Sequence, residues 1–116
     1  MTTLKLLKGE RDVRSYDAGQ TIFAEGAPAD VMYAVIEGEV DIVFRGNVLE
    51  TVSEGGIFGE LALVDEGPRS AGAVARSRCR VSVVDAKRFA VLVHQTPHFA
   101  IDVMRVMAER LRRRTT

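Results

Sequence analysis

Between Tyr16 and Val52 short apolar segments alternate with turn signals: DAG at 17–19, EGAPAD at 25–30, EG at 37–38 and RGN at 45–47. That rhythm is all-β. In VMYAVIEGEVDIVF, residues 31–44, β-branched and aromatic side chains cluster on both sides of Gly38, as two strands joined by a tight turn require. RGNVLETV then supplies a second hairpin turn and its return strand, and AGAVA at 71–75 and RVSVV at 80–84, flanked by Cys79 and Asp85, add two more strands. No crossover helices separate these segments, so an antiparallel β-roll, a barrel or jelly roll, is predicted over about 15–85.

Beyond Asp85 the period changes. KRFAVLVHQ, residues 87–95, reads as a short helix that ends before Pro97. A second helix is predicted over 98–114, with Ala100, Val103, Met104, Met107 and Leu111 on one face and Asp102, Arg105, Glu109 and Arg112 on the opposite one. The expected class is therefore mainly β with one or two closing C-terminal helices. No linker or repeat divides the chain, and its 116 residues suffice for one core without staples, so residues 1–116 are expected to form a single domain.

Charge and composition narrow the function classes. Sixteen Lys and Arg balance sixteen Asp and Glu, so no overall field draws the domain onto nucleic acid, and direct nucleic-acid binding is not expected. The arginines at 112–114 could form a local basic patch, but they have no aromatic neighbours to stack on bases. No apolar run nears the roughly 20 residues of a membrane span. Cys79, the only cysteine, cannot form an internal disulfide, and MTTLKLLKGE lacks a signal-peptide core, so a cytoplasmic location is expected. Catalysis lacks its parts. A cupin-type metal centre needs several histidines, whereas His94 and His98 both lie in the helical part with Pro97 between them, and neither Ser70 nor Cys79 has an identifiable base.

The stretch FGELALVDEGPRSA, residues 58–71, is too long for a simple strand connection. A short helix over 60–64 would turn its first N–H groups outward beside Gly59, which has no Cβ to obstruct a ligand, and so offer a small anion site. Pro68 restrains the approach to Arg69, whose planar fork can hold two phosphate oxygens. Glu60 would repel a phosphate that it touched, but it suits a sugar hydroxyl. Together Glu60 and Arg69 ask for a sugar and a phosphate side by side. The plainer reading of Arg69 is a surface ion pair with Glu60, Asp65 or Glu66.

This stretch resembles the phosphate-binding cassette of cyclic nucleotide-binding domains, the family that includes bacterial catabolite activators, protein kinase A regulatory subunits and cyclic nucleotide-gated channels. The likeness extends upstream through DAGQTIFAEGAPADVMYAVIEGEVDI and downstream into the helices, covering about residues 15–112. It implies that Glu60 takes the ribose 2′-hydroxyl and Arg69 the cyclic phosphate. N–H groups near Gly59, Leu61, Ala62 and Ala71 would complete the cradle, Ser70 would bond the phosphate or the base edge, and Arg110 would cover the base. By helical spacing Arg110 falls on the border between the apolar and charged stripes, where a solvated residue is the plain alternative. Gly72 and Ala73 stand where members carry larger residues, which weakens the strand and leaves less surface against the ligand. No helix-turn-helix segment follows Arg110 before Thr116. The resemblance implies a non-catalytic sensor of cyclic AMP, with cyclic GMP also permitted, needing no cofactor or metal and signalling to a separate effector protein through its last helix. The alternatives it leaves are a domain of this fold that has lost its ligand, or the sensor fragment of a larger regulator or channel.

Overall fold

The computed structural model describes residues 12–65 and 67–115, the side chains of 114 and 115 excepted. Its strands are β1 (Val13–Tyr16), β2 (Thr21–Phe23), β3 (Val31–Glu37), β4 (Val40–Phe44), β5 (Asn47–Val52), β6 (Ile57–Phe58), β7 (Gly72–Ala75) and β8 (Cys79–Asp85). A 3-10 turn covers Glu60–Leu63, and two helices close the chain, α1 (Ala86–Gln95) and α2 (His98–Thr115). The strands form two four-stranded sheets, in spatial order β1-β8-β3-β6 and β2-β7-β4-β5, and every pairing is antiparallel. This is the β-roll that the alternation of apolar runs and turns predicts.

Strand β3 explains how one sheet serves two cores. Its run from Met32 to Ile36 is buried on both faces, which is why it reads as continuous apolar sequence rather than as an alternation. Tyr33 and Val35 point between the sheets, where they meet Val40, Val52, Phe58, Val81 and Val83. Met32 and Ala34 point the other way, onto Leu92 of α1 and Phe99 and Val103 of α2. At the β3–β4 turn Gly38 has φ +87, and a Cβ there would stand 2.3 Å from the Arg78 carbonyl oxygen, so only glycine lets that turn close against the start of β8. Gly72 and Ala73, expected to weaken their strand, instead fit between close neighbours: Ala73 is fully buried in the inter-sheet core, and a Cβ on Gly72 would already touch the Phe23 carbonyl oxygen at 3.4 Å. Neither residue lines the cavity described below.

The helices follow from caps and from one aromatic residue. Asp85 caps α1 by accepting the Arg88 N–H at 2.7 Å, and α1 ends two residues before Pro97. In α2 the inward face differs from the predicted one. Phe99, absent from the predicted stripe, is 1% exposed and packs its ring 5.4 Å from that of Phe89. Once Phe99 and Val103 face the sheet, the helical period carries Val106 and Met107 inward as well, and Met104 and Leu111 are left outside at 54% and 65% exposure. The buried stripe is thus rotated by roughly 70° from the predicted one, and Asp102, predicted outside, is drawn partly in. The same rotation carries Arg110 off the border and toward the roll.

Candidate functional site

A cavity of about 320 Å³ opens between the 3-10 turn, the β4–β5 hairpin and α2. Gly59, Glu60, Leu61, Ala62, Arg69, Ser70, Ala71 and Arg110 all line it, so the structure brings every residue predicted for the site to one place.

Arg69 is only 7% exposed. Its Nη1 donates to the Gly59 carbonyl at 3.1 Å and its Nη2 to the Val31 carbonyl at 2.8 Å, while the guanidinium lies 4.0 Å from the centroid of the Phe23 ring. Its Nε–H is buried with no hydrogen-bond partner. It makes no ion pair with Glu60 or Asp65, two of the carboxylates that a surface arginine would use, and Glu66 lies outside the described residues. Burial draws its pKa below the ordinary arginine value, with Tyr33 opposing that shift. A buried cation with an unused donor and, among the described residues, no carboxylate in contact is a ready partner for an anion.

Gly59 does something other than clear room for a ligand. With φ +73 it is left-handed, and a Cβ there would stand 2.8 Å from Arg69 Nη1, so its missing side chain makes the seat of the arginine. The short helix predicted over 60–64 is a 3-10 turn over Glu60–Leu63. Its N–H groups are not all turned outward as expected: that of Ala62 closes the turn on the Gly59 carbonyl at 3.3 Å, and those of Glu60 and Leu61 favour the Glu60 carboxylate.

Glu60 is 5% exposed, and burial raises its pKa against the opposing charge of Arg110. Arg110 reaches it from α2, with Nη1 donating to Glu60 Oε1. The same guanidinium grips a residue that the sequence reading passed over. Its Nε donates to Glu50 Oε1 at 2.9 Å and its Nη2 to Glu50 Oε2 at 3.2 Å, and Nη2 also donates to the Ile57 carbonyl. Arg113 stands 3.5 Å from Glu50 Oε2. Burial pushes the Glu50 carboxyl up, but the hydrogen bond and charge of Arg110, aided by Arg113, outweigh it and leave the pKa below the ordinary 4.5. Such an arrangement can hold a compact anion at Arg69 and a hydroxyl at Glu60, with a helix residue over the opening.

A family model for the cyclic nucleotide-binding domain matches residues 13–96, which include the 3-10 turn and Arg69. The chain belongs to that family. It is similar to the CRP-like cAMP-activated global transcriptional regulator of Mycobacterium tuberculosis, at 34% identity over 103 residues, which cover 84% of this chain and 46% of the relative. It is also similar to the cAMP-dependent protein kinase regulatory subunit of Aspergillus niger, at 42% identity over 74 residues, 61% of this chain and 18% of that one. Among solved structures, the Thermus thermophilus catabolite activator protein aligns with a TM-score of 0.80 and 29% identity over 96% of this chain and 53% of its own. This cyclic nucleotide-binding domain thus spans about half, or less, of the length of these relatives. Among the described residues no helix is long and apolar enough to cross a membrane.

Within this cyclic nucleotide-binding domain, the cavity residues that sequence reasoning missed are chiefly Phe23, Leu49, Glu50 and Arg113. Glu50 carried a signal. It lies two residues before buried Val52 and opposite Ile42 in the β4–β5 register, so alternation puts its carboxylate on the inward face of β5. A charge on an inward strand position asks for a partner.

Proposed function

We propose that this domain binds cyclic AMP reversibly, without hydrolysing it, and passes the event through α2 to an effector protein in the cytoplasm. The observation that carries the reading is Arg69: a buried guanidinium with a free Nε–H, facing a cavity that also holds the carboxylate of Glu60. The phosphate would sit on Arg69, with Gly59, Leu61, Ala62 and Ala71 around it. The ribose hydroxyl would go to Glu60, Ser70 would bond a phosphate oxygen or the base edge, and Arg110 would cover the base. Two curated relatives carry cAMP in their names, which supports cyclic AMP ahead of cyclic GMP. The exchange of Arg110 for ribose at Glu60 would be the event that α2 feels.

Isothermal titration with each cyclic nucleotide tests this. Cyclic AMP should bind the parent protein and remain intact on incubation. Arg69→Lys should weaken binding by about 2–3 kcal/mol, because an ammonium cannot hold the Gly59 and Val31 carbonyls and still offer the Nε–H to the phosphate. Glu60→Gln should cost less, about 1–2 kcal/mol, since an amide oxygen still accepts one hydroxyl bond. If neither nucleotide gave heat or a thermal shift at millimolar concentration, the ligand assignment would be wrong.

A further inference from the structure

The bonds of Arg110 are unevenly divided. Only Nη1 goes to Glu60, the residue that a ribose would claim. The Nε and Nη2 edge goes to Glu50 as a two-pronged fork at 2.9 and 3.2 Å, and Nη2 also reaches the Ile57 carbonyl. Arg113, one turn further along α2, adds charge on the same carboxylate at 3.5 Å. The Glu50 side chain is 19% exposed and that of Arg110 14%, so this fork lies where water screens it weakly. It also joins elements far apart in the chain, since Glu50 sits on β5 and Arg110 on α2.

We propose that Glu50 is a positioning residue: it fastens Arg110, and with it the C-terminal half of α2, over the cavity before any ligand arrives. A helix that must first swing into place reduces apparent affinity by the fraction of molecules in the competent state. Glu50 removes that penalty by holding the competent state in the ligand-free protein. When a hydroxyl takes Glu60, Arg110 loses one partner and keeps the fork, so α2 keeps its cover over the base and the change it passes on is the released Nη1 edge of Arg110. Glu50 itself makes no contact with phosphate or ribose in this scheme and acts through Arg110, with Arg113 beside it. The inference rests on the reading of Arg110 as part of the ligand site, but its central claim concerns the ligand-free molecule.

Amide hydrogen exchange of the ligand-free protein tests that claim directly. In Glu50→Gln, amides of residues 104–113 should exchange about tenfold faster than in the parent, while those of β3 and β8 keep their protection. Glu50→Asp, which keeps the charge but is one methylene too short for the fork, should show the same pattern in weaker form. In titrations with cyclic AMP, Glu50→Gln should raise Kd about tenfold, as expected when the competent fraction falls to about a tenth. That loss should shrink when Arg110 is already replaced by Lys, since Glu50 acts through the arginine fork. Unchanged exchange over 104–113 in both Glu50 variants would overturn the proposal. So would equal loss of protection in β3 and β8, because Glu50 would then support the roll in general. If the parent bound no cyclic nucleotide, the ligand reading would fail while the exchange comparison still decided the role of Glu50.

Discussion

Arg69 is held by its surroundings rather than by its own sequence neighbours. Two backbone carbonyls, one from β3 and one from the cassette, fix its guanidinium against the face of Phe23, and the space it occupies exists because Gly59 has no side chain. Gly59→Ala therefore meets two penalties at once. The left-handed backbone is strained by about 1–2 kcal/mol for a residue with a Cβ, and the added methyl carbon presses on Arg69 Nη1 from 2.8 Å. Chemical denaturation should show that loss of stability, and titration should show weakened cyclic AMP binding beside it. Normal affinity in a Gly59→Ala protein would mean that the arginine binds from a different position. At this scale the sequence was readable where residue type and motif agree, as with Glu60 and Arg69 in FGELALVDEGPRSA. It was silent on Phe23 and nearly so on Glu50, because each meets its partner, Arg69 and Arg110, from an element far away in the chain. Only the inward phase of β5 hinted at Glu50.

Among the elements, the strands were legible because turn residues delimit them, and α2 was legible in extent but not in orientation. The nine apolar residues along 98–111 permit more than one stripe, and the choice is made by what the rest of the fold offers. The space between α1 and β3 admits the ring of Phe99, and every later residue of α2 inherits that phase. The consequence is measurable as a contrast. Phe99→Ala should destabilise the domain by about 3–5 kcal/mol, as expected for emptying a filled aromatic site. Met104→Ala, at a position 54% exposed, should change stability by no more than about 0.5 kcal/mol. Equal losses in the two variants would restore the face predicted from periodicity. The 3-10 form of the cassette turn was hidden for another reason. With Gly59 left-handed at its start and Gly67 and Pro68 just beyond it, the segment has room for one tight turn, and residue types favouring either helix are the same.

Across the whole molecule, formal neutrality conceals a local arrangement in which Glu50, Glu60, Arg110 and Arg113 gather where α2 crosses the roll. Two of these carboxylates respond to folding in opposite directions. Burial raises the Glu60 pKa, so its charge is disfavoured by folding, whereas the arginines overcome burial at Glu50 and lower its pKa. Linkage then fixes the signs. A carboxyl depressed in the folded state contributes stability that is fully present above its unfolded value, about 4.5, and is lost as pH falls through the lower folded value. A carboxyl raised in the folded state does the reverse, and its destabilising effect fades as pH falls from above its folded value toward 4.5. Glu50→Gln should therefore melt below the parent at neutral pH, and the gap should close as both proteins are acidified below 4.5. Glu60→Gln removes a carboxylate that folding disfavours, so above its raised pKa it should lose less stability than Glu50→Gln. Melting curves of parent and both variants from pH 7 to about pH 3.5, below the unfolded carboxylate value, separate the two contributions. A gap between parent and Glu50→Gln that stayed constant through that acid range would show that Glu50 holds α2 by shape and not by charge, and the fork to Arg110 would no longer account for the closed position of the helix.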